Sequence, residues 1–386
     1  MTWIEVALLV ALVVAVGGLV LALVLRRRLS TLSAELRRSR LIAPDPAEAR
    51  AAHKDGPAVV VFNPSKQADF ETLRIALARE CDWMGMPEPI WLETTVEEPG
   101  KAQARQAIEM GASVVIAAGG DGTVRAVAEG LAGSGVALGL LPIGTANLLA
   151  RNLGIANQVE PMIATVLAGK DQLIDVGWLE IEEHSPETLE RIGALGIDDA
   201  EPAKPGRYGF LVISGLGFDA EVMGGVDPTL KKRIGWLAYL TSALKVLKYP
   251  KLTATIRTRS GSSVTTEARS VMFANCGELV SGFVMAPDAK PDDGWLDIAI
   301  LDVEGGLMGW GDLVRRVGLQ GIGVRSDPLG DKSRPVQGSI DFRRTRECTV
   351  TVEEPAQVQL DGDVVGYASK VSASILPGAL YVRVAG

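Results

Sequence analysis

The stretch SVVIAAGGDGTVRAVAEGLA, residues 113–132, settles the fold class. Its run Val114-Val115-Ile116-Ala117-Ala118 reads as a short strand, apolar throughout because it is buried on both faces. From Val124 onward the segment reads as a helix. Gly-Gly-Asp-Gly-Thr separates the two, and glycines at a strand-to-helix turn bring backbone N–H groups close to phosphate. Asp121 stands where that second negative charge would dock. A Mg²⁺ ion shared by the carboxylate and the phosphates resolves the conflict.

The same texture extends to either side. AVVVFNP (58–64) is a strand closed by an Asn-Pro turn, residues 67–81 have helical spacing, PIWLETTV (89–96) is a second strand and 101–110 a second helix. VALGLLPIGTANLLARNLG (136–154) supplies a fourth strand, a Gly-Thr turn and another helix. Strands alternating with helices predict a doubly wound parallel α/β unit over residues 57–168. From about residue 170 strand-like runs crowd together, among them LIDVGWLEI (173–181), YGFLVISGLG (208–217), WLDIAIL (295–301), CTVTVE (348–353) and ALYVRVA (379–385). They predict an antiparallel, β-sandwich-like domain over 169–386, whose last strand can return to the domain interface. Helical patterns interrupt it at 229–248 and 304–323. The acidic piece 182–205 has no core pattern and reads as a solvated insertion.

At 47% hydrophobic residues most of the 386-residue chain must fold as a globule. Aromatics at 5% and a net charge of −8 exclude a general nucleic-acid binder. That charge is uneven: residues 1–40 hold six arginines against two glutamates, net +4, which leaves −12 on the rest. VALLVALVVAVGGLVLALVL (6–25) has no charge over twenty residues, enough for a helix spanning about 30 Å of hydrocarbon. Arg26, Arg27 and Arg28 follow it. The expectation is a single-pass anchor over 1–28 and a linker over 29–56, with the catalytic body on the cytoplasmic side of the cell membrane, against its anionic inner surface. A secretory signal peptide is the alternative, opposed by Glu5 and by the lack of a small-residue cleavage site after the apolar run. Three scattered cysteines and two histidines leave little material for a disulfide framework, a zinc site or a Ser–His pair.

Four short motifs can carry chemistry: GGDGT (119–123), LPIGTANLLARN (141–152), DDG (292–294) and LDGD (360–363). Gly119, Gly120 and Gly122 can expose successive N–H groups as a nest for phosphate oxygens, and Thr123 and Thr145 add hydroxyls. The two glycine turns follow separate strands, so they can face one another across the crevice where α/β sheets bind ligands. The chain has no Walker-type phosphate loop. Asp121 could hold a metal-bound water or orient an acceptor hydroxyl.

Taken in order with GLGFDAEV (215–222) and PDDGWLDI (291–298), these motifs resemble the diacylglycerol kinase catalytic family, which includes bacterial lipid kinases, sphingosine kinases and ceramide kinases. The likeness runs from about residue 57 to the C-terminus. It implies an α/β nucleotide domain followed by a β-sandwich-like domain, with MgATP between them. ATP would be held by Asn63, by Gly119, Gly120, Asp121, Gly122 and Thr123, and by Gly144, Thr145 and Asn147. It implies an accessory Mg²⁺ at the side chain of Asp293 and the carbonyls of Lys290 and Trp295. The general base would be Asp363, where the family has glutamate; Asp361 and Asp121 are alternatives. The implied reaction moves the γ-phosphoryl group of ATP to a lipid hydroxyl, with a glycerolipid such as diacylglycerol as acceptor. Asp219 and Glu221 could meet the acceptor's polar head or support a turn. LKKRIGWLAYLTSALKVLKYPK (230–251) can pack on the β-domain or lie on an anionic membrane surface. Two other readings stay open: a soluble-substrate kinase of the NAD kinase type, and a non-catalytic nucleotide or lipid sensor at the membrane. A homodimer is compatible with the sequence.

Overall fold

The structure, a computed structural model, describes residues 50, 55–66, 68–155, 158–195, 197, 200–217, 251–259, 261–278, 286–303 and 338–386. The expected anchor and most of the expected linker, the helical patterns at 229–248 and 304–323, the basic stretch up to residue 250, and Asp219 and Glu221 lie outside them. Among the described residues no helix is long and apolar enough to cross a membrane.

Four parallel strands form the N-terminal sheet: β1 (Ala58–Phe62), β2 (Ile90–Glu93), β3 (Val114–Gly119) and β4 (Ala137–Pro142), in the order β2-β1-β3-β4. Between them run α1 (Phe70–Trp83), α2 (Lys101–Glu109) and α3 (Asp121–Leu131); α4 (Leu148–Asn152) and α5 (Val159–Ala168) follow β4. Successive strand side chains point to opposite faces. Ala58, Val60 and Ile116 therefore pack with Leu77 of α1 and Val166 of α5. Val59, Val61 and Val115 pack with Ala104 of α2 and Val127 and Leu131 of α3. Helices on both faces are the reason these strands are apolar without alternation.

The remaining elements are β5 (Lys170–Ile181), α6 (Pro186–Gly193), β6 (Gly206–Phe210), β7 (Ile213–Leu216), β8 (Leu252–Thr258), β9 (Ser263–Ala268), β10 (Ser270–Ala274), β11 (Leu296–Val303), β12 (Gly338–Thr345), β13 (Glu347–Leu360) and β14 (Asp363–Val384). The ladders among these strands are antiparallel, and they enclose a second core around Phe210, Leu216, Val271, Phe273, Ile298 and Val358. β14 joins the two lobes. It begins in a hairpin with β13 and ends parallel to β4, with Tyr381 opposite Ala137 and Val382 opposite Leu138. One sheet thus runs through both lobes, and the tight β13–β14 turn is held against the carboxyl ends of the parallel strands.

The acidic piece 182–205 is more than a solvated insertion. Ser185 caps α6 by accepting the Thr188 N–H at 3.1 Å, Pro186 takes the first helical turn, and Ile192 is buried. A single apolar anchor in an eight-residue helix leaves too little periodicity to read.

Candidate active site

The helix after β3 starts three residues earlier than the apolar spacing suggests, so Asp121, Gly122 and Thr123 form the first turn of α3 and Gly120 is its cap. The first N–H groups of a helix have no partner within it and, with the helix dipole, favour an anion. The second glycine turn lies directly against the first. A Cβ placed on Gly144 would come 2.5 Å from the Gly120 Cα, so this approach requires glycine. The two turns do face each other.

Asp121 joins them. Its Oδ1 accepts the Leu148 N–H at 2.6 Å and its Oδ2 accepts the Asn147 N–H at 3.0 Å. The carboxylate that the sequence pairs with a cation is thus balanced in large part by two amides at the start of α4. Burial pushes its carboxyl above the usual carboxylate range; the two amides pull the other way and the nearby Asp363 adds a smaller upward push. Asn147 is left-handed at φ 49°, and its Nδ2 donates to Pro142 O at 3.0 Å and Gly144 O at 2.8 Å, which shapes the turn. Asn63 closes an Asx turn by accepting the Ser65 N–H and hydroxyl through Oδ1.

A cavity of about 410 Å³ opens between the lobes in front of these turns. Asn63, Gly120, Asp121, Gly122, Thr123 and Thr145 line the nucleotide-domain side, and Asp361, Gly362 and Asp363 face them from the β13–β14 turn. Of the expected nucleotide residues, Gly119, Gly144 and Asn147 are not among its lining residues; they make the contacts that shape the two turns. Gly119 leaves room for the buried Thr123 side chain, which a Cβ there would approach to 2.5 Å.

The two acids of LDGD have opposite environments. Asp361 is 5% exposed, and its carboxylate accepts the N–H groups of Leu211, Val212 and Ile213 at 2.8–3.0 Å. Burial pushes its carboxyl up to about 6 against the pull of Arg125 and those amides. It anchors the turn. Asp363 is half-exposed in the cavity, with Oδ2 2.9 Å from Arg125 Nη2. Gly122 permits this, because a Cβ there would meet Asp363 Oδ2 at 2.9 Å.

Sequence reasoning missed Lys66, Thr95 and Arg125. Lys66 lines the cavity, its Nζ 3.6 Å from where a Gly120 Cβ would stand. A lysine just past an Asn-Pro turn was the available signal. Thr95 follows β2 and carries no motif. Arg125 is one helical turn beyond Asp121, a spacing that puts both on the same face of α3.

The remaining expected metal group lies elsewhere: Asp293, Lys290 and Trp295 do not line the cavity. Asp293 Oδ1 accepts the Trp295 N–H at 3.0 Å, and its Oδ2 is ion-paired with Arg344. Lys290 is exposed, and Trp295 lies under the Arg346 guanidinium, whose carbon is 5.0 Å from the ring centroid. Among the described residues no three His, Cys, Asp or Glu side chains are grouped to hold a metal. The cavity suits a nucleotide: amide donors at a helix start, a lysine and threonine hydroxyls stand along one wall. Magnesium that arrives on phosphates needs only one or two carboxylates, and Asp121 lines the cavity beside the amide donors.

Residues 57–179 match the diacylglycerol kinase catalytic domain, and residues 212–308 match the YegS C-terminal NAD kinase beta sandwich-like domain. The chain is 30% identical over 334 residues to a Pseudomonas aeruginosa protein named "Probable lipid kinase YegS-like", covering 82% of this chain and 91% of that one. It is 26% identical over 312 residues to the diacylglycerol kinase of Bacillus subtilis, covering 80% and 89%. It also spans 55% of an uncharacterized Synechocystis protein at 26% identity, over 70% of this chain. The fold is similar to the crystal structure of a diacylglycerol kinase from Bacillus anthracis, with TM-score 0.59 and 20% identity over 85% of this chain and 96% of that one.

Proposed function

The chain belongs to the diacylglycerol kinase catalytic family of lipid kinases, and from that premise we propose that it transfers the γ-phosphoryl group of ATP to the hydroxyl of a glycerolipid such as diacylglycerol, with Mg²⁺. The observation that carries this reading is the contact between the two glycine turns, which faces Asp363 across the cavity. Phosphoryl transfer needs positioning and charge compensation more than covalent catalysis. First-turn amides of α3 and the Lys66 ammonium would receive the phosphates, and Thr123 and Thr145 would orient them. Asp121 would help to hold a Mg²⁺ ion that arrives with the nucleotide, and the ion would supply charge compensation for the transferred group.

Asp363 would take the proton of the acceptor hydroxyl; in support, it lines the cavity half-exposed, whereas the buried Asp361 carboxylate accepts three amides. The Arg125 guanidinium fixes its direction. The run at 6–25 would tether this body to the inner surface of the cell membrane, where its acceptor lies.

The test is phosphoryl transfer from γ-labelled ATP to a panel of purified lipids and to NAD. Labelled phosphatidate from diacylglycerol supports the reading and labelled NAD refutes it. ATP binding without transfer to any acceptor would identify a sensor instead. Fractionation of cells expressing the full chain should recover it with membranes; recovery in the soluble fraction would remove the tether.

A further inference from the structure

We propose that Arg344 takes the place of the accessory cation, so that the Asp293 turn of this protein is held by a guanidinium and has no structural Mg²⁺. Arg344 and Asp297 are directly opposite on the antiparallel pair β11–β12. Nε donates to Asp297 Oδ1 at 3.0 Å, and Nη2 donates to Asp297 Oδ2 and to the Asp288 carbonyl, both at 3.2 Å. The same Nη2 pairs with Asp293 Oδ2. One side chain therefore ties together two carboxylates and the Asp288 carbonyl, and through Asp293 it takes the one side-chain ligand expected of the accessory cation.

The surroundings leave little room for an ion as well. Asp297 is 3% exposed, and its carboxylate is paired with the Arg344 guanidinium. An unpaired charge there would be costly. A metal binding to Asp293 would have to displace the guanidinium, stranding Asp297, or sit beside a group that cannot lose its proton. The other Asp293 oxygen accepts the Trp295 N–H. The turn is also fastened without metal: the buried Asp175 accepts the Gly294 and Gly378 N–H groups, each at 2.7 Å, and so ties it to β14. The guanidinium is held in register by the sheet, so its position does not depend on ion concentration. This inference concerns the turn alone and stands whatever the acceptor.

The test is Mn²⁺ binding by electron paramagnetic resonance on the full chain in detergent, without nucleotide, for wild type, Asp293→Asn, Arg344→Gln and the double variant. Wild type and Asp293→Asn should bind equally, while Arg344→Gln should gain one Mn²⁺ that the double variant loses. In parallel melts, adding Mg²⁺ should move wild type by less than about 1 °C and Arg344→Gln up by roughly 3–5 °C, as expected of a saturated single site. A wild-type Mn²⁺ site that Asp293→Asn abolishes overturns the proposal. So does a folded Arg344→Gln that gains no ion. Should Arg344→Gln fail to fold, the comparison of wild type with Asp293→Asn still decides, since equal binding supports the inference and a lost site refutes it.

Discussion

Replacing Asp121 by asparagine separates two roles that its carboxylate could have. In the structure it clasps the second glycine turn through the Leu148 and Asn147 N–H groups, at 2.6 and 3.0 Å. Asparagine keeps one acceptor and turns the other atom into a donor that faces an N–H. One charge-assisted bond is lost and one part-buried N–H is left unpaired, a cost of about 1–3 kcal/mol. For a chain of 386 residues that lowers the melting temperature by roughly 1–4 °C. The freed turn carries Thr145 at the cavity edge, and displacement of about 1 Å is enough to cost a hundredfold in rate. A clasp therefore predicts three changes together: lower melting temperature, higher KM for ATP and lower kcat. A carboxylate that acts only on a metal or on the acceptor hydroxyl predicts a fall in kcat with stability intact. Thermal melts with and without a nonhydrolysable ATP analogue, beside steady-state phosphoryl transfer, distinguish the two. A variant that melts with wild type and keeps its KM would refute the clasp.

Asp363→Ala should lower transfer by about 10²–10⁴, the usual contribution of a general base, whereas Asp363→Glu should retain part of it; an alanine variant within tenfold of wild type puts the base elsewhere. Gly144→Ala would set its Cβ 2.5 Å from the Gly120 Cα and force the turns apart, at about 1–3 kcal/mol. Calorimetric affinity for an ATP analogue should fall at least about tenfold, and unchanged affinity would disprove the turn-on-turn contact as the nucleotide site. Asp361, raised from 3.8 to about 6, binds its proton more tightly folded than unfolded. The stability it contributes is therefore complete below pH 3.8 and lost as pH rises to about 6. The unfolding free-energy difference between wild type and Asp361→Asn should shrink across that interval in denaturant titrations; a flat difference contradicts the raised carboxyl.

Much of the nucleotide half was legible in the sequence. Val114–Gly119 could be read as a buried strand because helices cover both of its faces, and the glycines after it had to serve a turn. Asn63, Thr123 and Thr145 follow strand ends, and strand ends of a parallel sheet share one edge; their meeting at one cavity follows from topology. Asp121 was legible as an acid beside phosphate, but its two amide partners were not. They lie 26 and 27 residues further on, brought back by β4 and its turn. Lys66 and Thr95 carry no periodic signal, since a loop residue is positioned by the elements around it. Asp293 was expected to hold a metal only because the family resemblance implies it, and nothing near it in sequence pointed to its partner. Its partner is 51 residues away on the neighbouring strand.

Local order along this chain determined what repeats at short range: apolar runs, the alternation of strand and helix, and turns that only glycine can make. Those features follow from backbone sterics and side-chain burial, which act over a few residues. The tertiary structure alone decided which charge meets which. Asp363 meets Arg125 across 238 residues because β14 carries the β13–β14 turn back to the nucleotide lobe, and Asp297 meets Arg344 because two strands align in register. Electrostatic pairing depends on distance in space, and a sequence records only distance along the chain.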